Sequence, residues 1–79
     1  MNTIETRISA LLTGRFKVKE SAVSADATLG NLSLDSLVLI EFALVLDKEF
    51  SVEFADGELT EDMSVGVLAE LLHSKGVPN

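Results

Sequence analysis

The stretch LSLDSLVLIEFALVLDKEF, residues 32–50, decides the fold, because it contains the longest apolar run in the chain. From Asp35 onward the apolar residues recur every three or four positions, a spacing that gathers side chains on one face of an α-helix. One stripe is Leu39, Ala43, Leu46 and Phe50, and a second stripe beside it is Leu37, Ile40 and Leu44. Since charged residues leave only a narrow polar face, we expect this helix to lie centrally and to contact several others.

Two more main helices are predicted, one on each side of this stretch. The first begins at Asn2 or Thr3, since Asn2 and Glu5 have the spacing of a capping box, and it ends near Gly14. The last follows Ser64 as its N-cap and stops at Gly76.

Residues 51–63, SVEFADGELTEDM, are predicted to form a turn with one short helix, although FSVEF alternates briefly as a strand does. The sequence therefore predicts an all-α bundle of three main helices and one short helix. A long loop joins the first two helices, and loops of that length in small domains are usually functional. We expect a single domain spanning residues 1–79.

Composition limits the functions open to the chain. Its 79 residues, 47% hydrophobic, suffice for one core, and its formal net charge is -7. Because the six basic residues are scattered, a nucleic-acid backbone would be repelled. The acidity favours a protein partner with a basic docking surface, or it serves only solubility.

Targeting signals and thiol chemistry are not indicated. The chain has no cysteine, so it cannot form a disulfide or a thiolate metal site. Glu5 and Arg7 interrupt what would be the apolar core of a signal peptide, and the longest apolar run is too short to span a bilayer. We expect a cytoplasmic monomer that does not bind a membrane.

Ser36 beside Asp35 raises the possibility of a serine hydrolase. A nucleophilic serine needs a base within hydrogen-bond reach, and the only histidine, His73, falls in the last turn of a predicted helix, where it suits the helix dipole. The remaining carboxylates lack the spacing of a calcium loop. We therefore expect no catalytic residue and no metal site.

Ser36 is better placed as an acceptor of a modification. At the start of a helix capped by Asp35, its hydroxyl would lie exposed beside free backbone N–H groups and the positive end of the helix dipole, an environment that favours a phosphate. Ordinary helix capping explains the same two residues. Position alone favours ordinary capping over a modification site.

The block LGNLSLDSLVLIEFALVLDKEFSVEF, residues 29–54, resembles the helix-two region of acyl carrier proteins. It has a Leu-Gly before the site, Asp-Ser-Leu at the site, Glu41 five residues past the serine, and an acidic-Phe pair at the end of the helix. Length, acidity, helix order and the long first loop extend the resemblance over the whole chain.

The resemblance implies that Ser36 Oγ carries 4'-phosphopantetheine, transferred from coenzyme A by a phosphopantetheinyl transferase, and that the arm's thiol holds acyl groups as thioesters. Asp35 would cap the helix and help to order metal and substrate in the transferase. The protein itself would not be an enzyme. In that family an acyl chain can fold back between the helices, and the candidates for lining its cavity are Leu39, Leu46, Phe50, Phe54, Met63 and Leu68.

The resemblance also implies partner enzymes with basic docking patches, namely a ketosynthase, an acyltransferase or acyl-activating ligase, and a reductase or dehydratase. The candidate partner-binding residues are Leu37, Val38, Glu41, Asp47, Glu53 and Asp56. Fatty-acid carriers commonly have acids where this chain has Val38 and Lys48. These departures favour polyketide or related specialised acyl biosynthesis.

Three alternatives stay open at this point. One is a carrier for primary fatty-acid synthesis, and another is a carrier for aminoacyl or D-alanyl groups, which would share Ser36. The third is an acidic helical adaptor without a prosthetic group, for which Ser36 would stay unmodified.

Overall fold

The computed structural model describes residues 2–79 and consists of three α-helices and one short 3-10 helix. α1 spans Thr3–Arg15, α2 spans Ser36–Phe50 and α3 spans Val65–Ser74, while the 3-10 helix is Glu20–Ala22. No strand forms within residues 2–79. The all-α prediction and the long connection between the first two main helices are therefore confirmed.

α1 begins with the predicted capping box. Asn2 Oδ1 accepts the N–H of Glu5 at 2.8 Å, and the Glu5 carboxylate accepts the N–H of Asn2 at 2.9 Å, so both free donors are satisfied. Ile4, Ile8 and Leu12 follow at helical spacing and are fully buried. The helix ends at Arg15, one residue beyond the predicted end.

The short helix predicted within residues 51–63 is a wrong prediction, because that segment forms turns. Its later backbone groups pair with the long loop instead: Glu61 O accepts the N–H of Gly30 at 2.8 Å and Met63 O accepts that of Leu29 at 2.9 Å. Gly57, at φ 80°, interrupts any helical run. FSVEF is not a strand either, since the isolated bridge of residues 2–79 joins Thr28 and Ser64.

α2 covers the core from one side and does not lie at its centre, which corrects the sequence-based expectation. Its inner face is buried through Leu39, Phe42, Leu46 and Phe50, and the Phe42 ring meets Phe16 edge-to-face at 5.3 Å. The second stripe stays in solvent: Leu37, Ile40 and Leu44 are 74%, 63% and 62% exposed. α1 instead packs directly against α3, and a Cβ added at Gly66 of α3 would lie 3.5 Å from the Glu5 carboxylate of α1.

Candidate functional site

Ser36 is the first residue of α2, and its position is set by Asp35. Asp35 has extended backbone angles, and its Oδ1 accepts the N–H of Val38 at 3.0 Å, so it is the N-cap of the helix. Ser36 is exposed. Its hydroxyl therefore lies at the positive end of the helix, next to backbone donors that have no partner inside the helix.

The loop that leads to Ser36 is held against the core. Leu32 and Leu34 are 5% and 1% exposed, and between them Ser33 adopts φ 69° while its N–H donates to Gly30 O at 3.0 Å. Because both leucines are buried in the core, the backbone that leads to Ser36 is held in one position. The local sequence Leu-Ser-Leu thus alternates buried and exposed side chains up to the helix start.

A groove of about 500 Å³ begins at Ser36 and lies between α2 and the segment 54–59. Its lining is mostly apolar. The residues from α2 are Ser36, Leu39, Ile40, Ala43, Leu44 and Asp47, and those from the facing segment are Phe54, Asp56, Gly57 and Leu59.

Only two of the six residues proposed to line an acyl cavity, Leu39 and Phe54, line this groove. The side chains of Leu46, Phe50 and Leu68 are buried in the core, and Met63 packs against the core half-buried. Sequence reasoning missed the contributions of Ile40, Ala43, Leu44 and Leu59. The sequence did contain a signal for Ile40 and Leu44, because both belong to the second apolar stripe of α2. The prediction for that stripe is packing against other helices.

Asp47 is the one charged α2 residue that lines the groove. Its side chain is half-buried, and its Oδ1 is enclosed without a hydrogen-bond partner among residues 2–79. A buried carboxylate oxygen is costly when no donor meets it. This residue therefore combines a groove-facing position with an unmet need for a donor.

The other candidate partner-binding residues differ in exposure. Leu37, Glu41, Glu53 and Asp56 are exposed, while Val38 is half-buried against the core. Val38 and Glu41 line a separate cavity of about 400 Å³. Lys17 and Lys19 of the long loop line the same cavity. The structure thus places these candidates on more than one side of α2.

The segment facing α2 across the groove is tied to the end of α3 by Lys75. Its ammonium lies 3.1 Å from Glu58 Oε2, 3.0 Å from Glu53 O and 5.1 Å from the centre of the Phe54 ring. Glu58 Oε1 also accepts the N–H of Ala55 at 2.9 Å. That backbone hydrogen bond, followed by the Lys75 ammonium, lowers the pKa of Glu58 from its ordinary 4.5.

His73 has a structural contact of its own. It lies in the last turn of α3, and its Nδ1 is 3.0 Å from Val77 O, which can only accept a hydrogen bond. Within residues 2–79, no three acidic or histidine side chains converge as metal ligands would. None of the helices described has the length and apolar content that crossing a bilayer requires.

Comparison with known proteins yields a family match and a curated relative. The family model described as "Phosphopantetheine attachment site" matches residues 6–72. Acyl carrier protein 2 of Pseudomonas aeruginosa is 37% identical to this chain over 59 residues, which cover 73% of this chain and 75% of that protein.

Proposed function

We propose that this chain, which belongs to the acyl carrier protein family, carries its prosthetic group on Ser36 and presents tethered acyl groups to partner enzymes. It is a non-catalytic carrier, and the prosthetic group of its family is covalently bound 4'-phosphopantetheine. The terminal thiol of that group holds acyl chains as thioesters. The residues of this chain position the attachment point and expose it.

The observation that carries the proposal is the exposed hydroxyl of Ser36 at the capped start of α2. Asp35 uses its carboxylate on the Val38 N–H, which keeps the first turn intact while Ser36 Oγ remains free to react. The transferase would join the phosphorus of the pantetheine phosphate of coenzyme A to Oγ as the pyrophosphate bond breaks, with adenosine 3',5'-bisphosphate as the leaving group and the hydroxyl proton passing to a base of the transferase or to water. The new phosphodiester would then lie at the positive end of the helix dipole.

The residues around Ser36 fit this prosthetic group. The groove that begins at the serine has apolar walls for the methyl and methylene groups of the arm. The enclosed Oδ1 of Asp47 lacks a donor among residues 2–79, and the arm has two amide N–H groups. The amide N–H groups of the arm are hydrogen-bond donors and Asp47 Oδ1 is an acceptor, so the two are complementary.

The pathway forms a second part of the proposal: polyketide or related specialised acyl biosynthesis. Support comes from α2, where Val38 and Lys48 interrupt the acidity and where Leu37, Ile40 and Leu44 lie exposed. A partner that docks on α2 therefore contacts a more apolar surface than it would if residues 38 and 48 were acidic. A carrier in primary fatty-acid synthesis or for aminoacyl groups would share Ser36 and differ in its partners.

The proposed partners are a phosphopantetheinyl transferase and acyl-processing enzymes such as a ketosynthase, an acyltransferase or acyl-activating ligase, and a reductase or dehydratase. The proposed contacts on this chain are Leu37, Val38, Glu41, Asp47, Glu53 and Asp56. Basic patches on those enzymes would complement the net charge of -7. A cytoplasmic location belongs to the proposal, because coenzyme A is available there.

Intact mass spectrometry tests the attachment directly. The protein is incubated with coenzyme A, magnesium and a permissive phosphopantetheinyl transferase, and we expect a gain of one phosphopantetheine per chain. Ser36→Ala should gain nothing. Ser33→Gly is the matched control, since Ser33 is a nearby exposed serine whose positive φ suits glycine.

Two results would contradict the proposal. Absence of a mass gain on folded, unmodified protein would remove the carrier function and leave the acidic adaptor. A mass gain that persists in Ser36→Ala would move the attachment point to another residue. Partner preference is tested separately, by comparing the rates at which ketosynthases from polyketide and fatty-acid systems accept the same acyl group from this carrier.

A further inference from the structure

Asp56 and Gly57 are the one aspartate-glycine pair in the chain, and they lie in an exposed turn between α2 and α3. The turn is closed by the Glu58 N–H, which donates to Ala55 O at 3.1 Å. Gly57 has φ 80°, the value that a type II turn requires at its third residue. The pair is therefore presented to water on a backbone that glycine keeps adaptable.

An aspartate in such a turn can react with its own backbone. The nitrogen of the next residue bonds to Cγ, the C–OH bond of the protonated carboxyl breaks, and the hydroxyl leaves with the amide proton as water. The product is a cyclic succinimide. Water then opens the ring at one of two carbonyl carbons: attack at Cγ restores aspartate, whereas attack at the main-chain carbonyl gives isoaspartate, with the chain running through Cγ. Because the water released in the first step is balanced by the water added in the second, no further reactant is needed.

Three features of the structure open this route at Asp56. Its side chain is exposed, so the carboxyl group is free to rotate. The Gly57 N–H takes no part in the backbone hydrogen bonds formed among residues 2–79, so its nitrogen is available for attack. Gly57 has no Cβ to hinder that nitrogen, and the space around it is open, because an added Cβ would meet nothing within 4 Å. The turn can therefore rotate without displacing a neighbouring segment.

The other four aspartates each lack at least one of these features. After Asp26 and Asp62, the next backbone N–H donates to a carbonyl oxygen, at 3.1 Å and 3.3 Å respectively. Asp47 lies inside α2, where the following N–H belongs to the helix. The Oδ1 of Asp35 accepts the Val38 N–H at 3.0 Å, which keeps that carboxylate on the helix cap. The aspartate of the turn is therefore the reactive one.

We propose that Asp56 is a site of spontaneous isomerisation, at which the folded protein forms a succinimide with the Gly57 nitrogen and accumulates isoaspartate as it ages. Isoaspartate lengthens the main chain by one carbon atom and leaves the negative charge on a shorter branch. The extra atom enters the turn in which Glu58 Oε1 accepts the Ala55 N–H at 2.9 Å. Aged molecules therefore lose the regular closure of this turn. The proposal does not depend on the function of the chain, because it rests on the turn alone.

Peptide mapping by electron-transfer mass spectrometry, which distinguishes isoaspartate from aspartate, tests the site on folded protein aged at neutral pH and physiological temperature. Isoaspartate should accumulate at position 56 several-fold faster than at Asp26 or Asp62 of the same molecules, after a transient species lighter by one water. Gly57→Ala should slow the accumulation several-fold, because a Cβ hinders the nitrogen and restricts the turn. Asp56→Glu is the matched control: it keeps the charge but closes the larger ring poorly, and it should give no isomerised product.

Ageing in urea separates the contribution of the folded turn from that of the local sequence. The rate at Asp56 should be similar in the folded and unfolded chains, because the turn already leaves both reacting groups free. Isoaspartate at position 56 that appears only in urea, or that does not exceed the yield at Asp62, would overturn the proposal. Equal accumulation in Gly57→Ala, with circular dichroism confirming that the variant is folded, would also overturn it.

Discussion

Lys75 and Glu58 form an ion pair, with Nζ 3.1 Å from Oε2, that fastens the wall of the groove to the end of α3. The two residues are seventeen positions apart, and Lys75 also bonds Glu53 O in the same wall. The ion pair thus joins the residue that follows α3 to the segment between α2 and α3. The apolar spacing that predicts the helices contains no sign of this contact.

This contact predicts a pH dependence of stability. The hydrogen bond from the Ala55 N–H, with the Lys75 ammonium, lowers the pKa of Glu58 below 4.5, so ionised Glu58 stabilises the folded state above that value. The stabilisation is lost as pH falls through the lowered pKa. Glu58→Gln should therefore lower the urea midpoint at neutral pH and converge with the parent in acid. A difference that does not change with pH would contradict this origin.

Burial of Leu46 predicts a large effect of truncation. Its side chain is fully buried, so Leu46→Ala should reduce the free energy of unfolding by about 2–5 kcal/mol. Leu44→Ala is the matched control: the same side chain two positions earlier is 62% exposed and should cost less than about 0.5 kcal/mol. Equal losses in urea unfolding would mean that α2 is rotated about its axis.

The end of α2 is a site for stabilisation. Ser51 is the C-cap residue at φ 55° and ψ 48°, in the left-handed region that non-glycine residues adopt at a cost. Ser51→Gly should raise the free energy of unfolding by about 0.5–1 kcal/mol, after the greater freedom of glycine in the unfolded chain is counted. Thermal unfolding with calorimetry measures the change.

Gly57→Ala is the converse control for that prediction. Gly57 has φ 80°, and an added Cβ would meet nothing within 4 Å, so only the backbone conformation opposes alanine there. We expect a loss of about 1 kcal/mol. A Ser51→Gly variant less stable than the parent would show that the serine side chain has a role beyond its backbone position.

Charge reversal on α2 tests electrostatic docking. Glu41 is exposed, so Glu41→Lys should slow association with a partner that has a basic docking patch, and the effect should diminish as salt rises. Stopped-flow association rates at several ionic strengths measure it. Glu70→Lys makes the same charge change on α3 and should slow association less. A loss that is independent of salt would argue against steering by charge.

The sequence by itself determined where the three main helices begin and that Ser36 stands at one of these starts. Helix caps and apolar spacing are local properties, so Asn2 with Glu5, Asp35 before Ser36, and Ser64 before the last helix each predicted a helix start that the structure confirms. The position of Ser36 at a helix start follows from the same local pattern.

Only the tertiary structure decided which apolar stripe of α2 is buried and where the groove lies. Both stripes have the helical period, and periodicity cannot say which side the rest of the chain will cover. Segment 51–63 does not form the predicted helix. Its Glu61 and Met63 carbonyl groups accept hydrogen bonds from the N–H groups of residues 30 and 29, which are distant in sequence. The enclosure of Asp47 and the Lys75 tie likewise arise from distant segments that meet in the fold. Local patterns fix local hydrogen bonds, whereas burial depends on which other segments pack against them.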